Sequence, residues 1–95
     1  KDIKRLLLDK YRDMESHNIR SVLFLGAGEV AELAYLYLQL TPIILAGIID
    51  EERKGKKFFD FEIEGPDSIE RINWDHILLT RLEDNENEIN TLVER

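Results

Sequence analysis

A glycine-rich turn is the feature of this sequence with the clearest chemical use. Residues 26–31 read GAGEVA, the pattern G-x-G-x-x-A, after a strand-like apolar run and at the start of a helical pattern. This is the context that the dinucleotide-binding fingerprint requires. Gly26 allows the tight turn, Gly28 leaves room for a ligand phosphate beside the backbone, and Ala31 lets the helix pack closely on the strand.

The start of the helix after this turn could hold an anion, because its backbone N–H groups and the helix dipole favour negative charge there. We therefore predict that Gly26, Ala27, Gly28 and Glu29 bind a nucleotide-type ligand. Glu29 and Glu32 also support the opposite interpretation, since carboxylates in the first turns satisfy the dipole and repel a pyrophosphate. A ligand site and an empty strand-to-helix turn both remain open.

Two further residues stand where predicted strands end, which is the edge of a parallel sheet that faces ligands. Asp50 follows Gly28 by 22 residues, and an acidic side chain there can accept hydrogen bonds from ribose hydroxyls. A solvated strand end is the alternative for Asp50. Thr80 ends the third strand and is a candidate ligand contact. The cofactor stays unidentified at this point, with NAD or another nucleotide as the candidates.

The sequence gives weaker evidence for any other kind of functional site. The basic residues Arg53, Lys54, Lys56 and Lys57 could approach the phosphates of a ligand, but we interpret them as a solvated loop. We assign His76 a structural role, because it opens a buried strand, and neither histidine has neighbours at metal-ligand spacing. Cysteine is absent, and so are a Ser/His/Asp order and a glycine-flanked nucleophile serine. We therefore expect no enzyme activity and no metal site.

Composition restricts the possible partners. The chain has 95 residues, enough for one small domain, and a formal net charge of -7. Such acidity argues against nucleic acid as a partner of this domain and against an anionic membrane. The longest apolar run, Ile43–Ile49, is far shorter than the roughly 20 residues of a membrane span. We expect a cytoplasmic domain, and we interpret the start at Lys1 and the stop at Arg95 as an excised piece of a longer protein.

The elements that position these residues follow from apolar periodicity. Strands are predicted at Ser21–Leu25, Ile43–Ile49 and His76–Thr80, with a weaker extended segment at Phe58–Ile63. Helices are predicted over residues 2–17 and from the glycine turn to Pro42, with one or two helical turns at Asp67–Ile72. A last helix is predicted to start at a cap residue, Asn85, and to bury Ile89, Leu92 and Val93.

This alternation predicts an α/β fold with parallel strands and right-handed crossovers. We expect a three-layer, Rossmann-like parallel sheet with flanking helices, preceded by an N-terminal helix. The predicted division is a linker helix at residues 1–18 and a nucleotide-binding-type domain at residues 19–95.

Four stretches carry a resemblance to a known family: VLFLGAGEVAELAYLYLQ, IILAGIIDEE, KGKKFFDFEIEGPDSI and WDHILLT. Together they resemble the CoA-binding-like Rossmann domains found ahead of CapD-type sugar-nucleotide dehydratases and in PglD-type sugar acyltransferases. GAGEVAELAY, with a helix before the first strand, is most similar to the C-terminal Rossmann domains of bacterial winged-helix transcriptional regulators. Gly26, Gly28 and Asp50 match the ligand turn and acidic strand end of the family, whereas Asp60 stands where relatives often have glycine.

The resemblance implies a sensor domain of a transcriptional regulator that binds a nucleotide or sugar nucleotide, and we expect a homodimer. The alternative is a non-catalytic accessory domain of an enzyme of sugar-nucleotide or polysaccharide biosynthesis. A third possibility is a Rossmann relic that serves only dimerisation.

Overall fold

The structure, a computed structural model, describes residues 2–81 and 91–94 of the chain. Within these residues the fold is mixed α/β, with two α-helices and three parallel strands. The elements in chain order are α1 (Ile3–Ser16), β1 (Ser21–Leu25), α2 (Glu29–Leu38), β2 (Ile44–Ile49), β3 (Lys57–Phe58), β4 (Phe61–Glu62), β5 (His76–Leu79) and β6 (Thr91–Glu94), with short 3-10 helices at Glu51–Arg53 and Pro66–Glu70.

The main sheet has the strand order β2-β1-β5-β6. Strand β1 lies between two parallel neighbours, and Leu25 at its end is in register with Ile49 of β2 and Leu79 of β5. The three parallel strands were predicted from sequence and are confirmed. Since they run in the same direction, their carboxyl ends meet at one edge of the sheet.

The predicted last helix is wrong at its C-terminal end. Thr91–Glu94 form strand β6, which pairs antiparallel to β5 and places Val93 opposite Ile77. Leu92, predicted on a buried helical face, lies in the same strand, and residues 82–90, including Asn85 and Ile89, lie outside the described part of the chain. β-Branched residues fit a strand well, and pairing covers an edge of β5 that would otherwise stay open, so this tertiary contact outweighs a local capping signal.

Both α-helices pack on the same face of the sheet. The buried side chains of this core include residues of α1, β1, α2, β2 and β5: Leu7, Tyr11, Met14, Val22, Phe24, Ala31, Ala34, Leu38, Ile48 and Leu78. The hydroxyl of Tyr11 in α1 donates a 2.6 Å hydrogen bond to the Ala34 carbonyl in α2. The predicted linker helix, α1, is thus packed into the same core as α2.

The opposite face of the sheet is covered by the segment between residues 66 and 75. Leu23, Ile49 and Ile77 are buried there against Trp74, whose indole N–H donates to the Ile69 carbonyl at 2.9 Å. This hydrogen bond fixes Trp74 to the segment that precedes β5. Within the described residues, no helix is both long enough and apolar enough to cross a membrane.

The segment predicted as one extended piece at 58–63 is a hairpin of β3 and β4. Its tip includes Phe59, whose φ of 54° is costly for a bulky side chain. The Phe59 ring stacks on Tyr35 of α2 with a centroid distance of 4.6 Å, which offsets part of that cost. Two-residue hairpin turns usually carry glycine or asparagine at positive φ, and none stands here, so the sequence lacks the usual signal.

Candidate functional site

The glycine turn at the end of β1 is held in place by its neighbours on both sides. The N–H of Gly26 donates to the Ile49 carbonyl at 2.8 Å, and the φ of Gly26 is 113°. A Cβ atom on Gly26 would lie 3.0 Å from the Thr80 carbonyl oxygen. Backbone conformation and the lack of space therefore both require glycine at this position.

Thr80 holds the same turn from the side of β5. Its hydroxyl lies 2.6 Å from the Gly26 carbonyl oxygen and 3.1 Å from that of Leu25, so its single proton is shared between these acceptors. The side chain is 1% exposed. Thr80 lies beside the cleft, as predicted for a ligand contact, but in this structure its hydroxyl positions the turn.

Gly28 differs from Gly26 because the fold does not require it. Its backbone is extended, with φ of -94° and ψ of -152°, a conformation open to any residue. A Cβ atom there would meet the Nη2 atom of Arg53 at 3.9 Å, an ordinary contact. Gly28 is the N-cap of α2 and supplies no side-chain cap, so the first N–H groups of this helix keep their capacity for another acceptor.

Asp50 stands at the end of β2, as predicted, and is bound to the turn itself. Its Oδ2 atom accepts from the backbone N–H of Ala27 at 2.8 Å and from Nη1 of Arg53 at 3.0 Å. Its Oδ1 atom accepts from the backbone N–H of Glu52 at 3.0 Å. The Asp50 side chain is only 12% exposed, so the carboxylate forms part of the floor of the site.

The surroundings of Asp50 keep it ionised. Partial burial by itself would raise the pKa of this carboxyl, but the hydrogen bonds from Ala27, Glu52 and Arg53 and the charge of Arg53 outweigh burial and lower its pKa. An ionised carboxylate that accepts from three donors holds its neighbours in place, and it is a poor proton acceptor near neutral pH.

A cleft of about 750 Å³ opens along this carboxyl edge of the sheet. All six residues predicted to bind a ligand line it: Gly26, Ala27, Gly28, Glu29, Asp50 and Thr80. Glu29 is exposed at the first position of α2, on the rim. The remaining lining comes from both sides of the edge: Leu25, Val30, Ile49, Glu51, Glu52, Arg53, Pro66, Ile69 and Arg81.

The basic residues after β2 divide into two groups. Arg53 reaches the cleft through its ion pair with Asp50, whereas the side chain of Lys54 packs over Gly65, with its Cδ atom 3.1 Å from a Cβ position there. Lys56 and Lys57 are exposed, as expected for a solvated loop. Arg53 is exposed like the other three, as expected for a solvated loop, but its ion pair with Asp50 brings it to the cleft. The spacing of three residues between Asp50 and Arg53, one turn of a short helix, was the signal available in the sequence.

No match was found when the chain was compared with protein-family models, curated proteins and solved structures. The assignment of the cleft therefore depends on its own geometry. Among the described residues, no group of three or more His, Cys, Asp or Glu side chains could hold a metal ion. His76 is buried at the first position of β5, whereas the cleft lies beyond the last, and His17 is exposed at the end of α1.

Proposed function

We propose that this domain is Rossmann-like and binds a nucleotide-type ligand without catalysing a reaction. The strand order supports a Rossmann-like fold: β2 lies on one side of β1, and β5, which comes later in the chain, lies on the other side. Ligands of open α/β sheets bind outside the carboxyl ends of the strands, at such a change of direction. In this proposal α1 and α2 form one outer layer and the segment around Trp74 forms the other.

The observation that carries the binding proposal is the space in front of Gly28. The fold tolerates a side chain at this position, but a side chain would enter the cleft between the uncapped start of α2 and Arg53. Phosphate oxygens fit the start of α2, because they accept from its backbone N–H groups. The proposed ligand is a nucleotide or sugar nucleotide whose phosphates lie over Gly26–Gly28.

The proposed role is sensing within a transcriptional regulator, with ligand binding changing the packing of a homodimer. The resemblance to regulator domains motivates this role. The chemistry of Asp50 agrees with a non-catalytic site, because its hydrogen bonds lower its pKa, whereas a catalytic base works best with a pKa near the operating pH.

Isothermal titration calorimetry tests the binding proposal directly. The domain is titrated with NAD, ATP, CoA and a nucleotide sugar, each to about 1 mM, the weak limit of specific binding. We expect saturable binding of at least one of them, weakened about tenfold or more by Gly28→Val, whose side chain enters the cleft. Leu36→Val, at an exposed position of α2, should bind like the wild type. Absence of binding by all four ligands would contradict the proposal.

A further inference from the structure

We infer that the cleft selects a nucleotide that carries an additional phosphate on its ribose, and that Arg53 is the residue that recognises this phosphate. The inference rests on the proposed function and goes on to name the class of ligand. It starts from the juxtaposition of Asp50 and Arg53 at the carboxyl end of β2. An acidic residue at this place suits an unsubstituted ribose, and a nearby arginine suits a ribose phosphate.

The acceptor capacity of Asp50 argues against an unsubstituted ribose. A carboxylate has about four lone-pair sites, and three are taken by Ala27, Glu52 and Arg53. Both sites on Oδ2 are used, so neighbouring ribose hydroxyls cannot bond to both oxygens without displacing an internal donor. At 12% exposure, the side chain also offers little surface to a ligand. In this inference Asp50 therefore positions Arg53 and the turn, in place of the role as a ribose acceptor that the sequence predicted.

The donors of Arg53, by contrast, exceed what Asp50 uses. A guanidinium has five N–H donors, and Arg53 donates to the Asp50 carboxylate from Nη1. Nη2 faces the position in front of Gly28, and the Arg53 side chain is 46% exposed. The same guanidinium can therefore stay bonded to Asp50 and bind a phosphate with its remaining donors, for which its planar fork is well suited.

The acidic residues on the rim of the cleft do not abolish this preference for a ribose phosphate. Glu29, Glu51 and Glu52 line the cleft as exposed residues, so water and salt screen their charges. The contact with Arg53, by contrast, is a direct charge-assisted hydrogen bond, which is stronger than a screened interaction at a distance. The charge of Asp50 is balanced by Arg53 and by two backbone N–H groups, so a phosphate beside Arg53 does not meet a bare carboxylate.

Two pairs of ligands that differ by one phosphate test the inference by calorimetry. NADP against NAD adds a 2′-phosphate, and CoA against dephospho-CoA adds a 3′-phosphate, so the two arms distinguish the position of the group. We expect the phosphorylated member of at least one pair to bind about tenfold more tightly or better. Arg53→Gln should bring that ratio to about threefold or less.

Two further variants separate recognition from stability. Lys56→Gln removes an exposed cation of the same loop that is not part of the cleft lining, and should leave the ratio unchanged. Arg53→Lys keeps the charge next to Asp50 and should keep a smaller preference for the phosphate. A ratio near one in the wild type, or a ratio that survives Arg53→Gln, overturns this inference alone. If none of these four ligands binds while ATP or the nucleotide sugar does, this inference fails and the proposed function stands. If ATP and the nucleotide sugar fail as well, the proposed function is overturned too.

Discussion

The Asp50 carboxylate accepts a 2.8 Å hydrogen bond from the backbone N–H of Ala27, which lies 23 residues earlier in the chain. The bond joins the end of β2 to the turn that follows β1. The conformation of the turn and the charge of Asp50 therefore depend on each other. Loss of the carboxylate leaves a buried N–H without its acceptor, and loss of the turn leaves a largely buried carboxylate with fewer donors.

Asp50→Asn should destabilise the domain at neutral pH by about 1.5–3 kcal/mol, because it weakens hydrogen bonds to a charged acceptor. The pKa of Asp50 is lowered in the folded state, so its contribution is present above the ordinary carboxyl range. It is lost as pH falls below about 4 and through the folded-state pKa. Urea unfolding at several pH values should show the wild type and the variant converging in acid.

The control for this prediction is Glu51→Gln, which removes an exposed carboxylate next to Asp50. Its free energy of unfolding should stay within about 0.5 kcal/mol of the wild type across the same pH range. Equal acid sensitivity in Asp50→Asn and the wild type would show that Asp50 does not contribute to the pH dependence.

The two glycines of the turn should respond differently to alanine. Gly26→Ala places a Cβ atom 3.0 Å from the Thr80 carbonyl at a φ of 113°, and the strain should cost about 1–3 kcal/mol or more. Gly28→Ala has an ordinary backbone and an ordinary contact, so unfolding should change by less than about 1 kcal/mol. Urea unfolding measures both variants, and equal losses would contradict the different roles of the two positions.

Apolar patterning was enough to predict most of the sheet, because β1, β2 and β5 are largely buried and read as nearly continuous apolar runs. It failed where a long-range contact decides the structure. Thr91–Glu94 become a strand by pairing with β5, and Phe59 takes a positive φ beside Tyr35. A prediction from a short stretch of sequence includes neither β5 in the first case nor Tyr35 in the second.

The candidate site shows the same limit. The glycine pattern and the parallel strands predicted which residues meet at the sheet edge, and the structure places all six in one cleft. The hydrogen-bond partners of those residues could not be predicted from the sequence. That Asp50 bonds to Ala27, and that Thr80 bonds to Gly26, depends on the register between strands, which residue types alone do not specify.

Tyr11→Phe should destabilise the domain by about 1 kcal/mol, because it removes the buried hydrogen bond to the Ala34 carbonyl. Burial raises the pKa of Tyr11 in the folded state. Above pH about 10 the unfolded chain loses this proton and the folded domain keeps it, so wild-type stability should fall as pH rises. Tyr11→Phe should lack this part of the fall.

Tyr37→Phe is the matched control for Tyr11, since the Tyr37 ring is half-buried on the second helix, with the Lys4 ammonium 5.8 Å from its centroid. Its free energy of unfolding at neutral pH should change by less than about 0.5 kcal/mol. If both tyrosine variants lose the same stability, the bond between the two helices contributes nothing specific.

Glu29→Gln should strengthen binding of an anionic nucleotide by about two- to fivefold, the scale of one charge at a helix N-terminus. Glu29 lines the cleft at the first position of α2, where its carboxylate competes with a phosphate for the same N–H groups. Glu32 lies in the same turn of the helix but is not part of the cleft lining. Glu32→Gln is therefore the control, because it removes the same charge from a residue that does not line the cleft. Calorimetry at low and at physiological salt compares the two variants. A gain that is equal in both would indicate a general effect of net charge, whereas a gain confined to Glu29→Gln would place the phosphate at the start of α2.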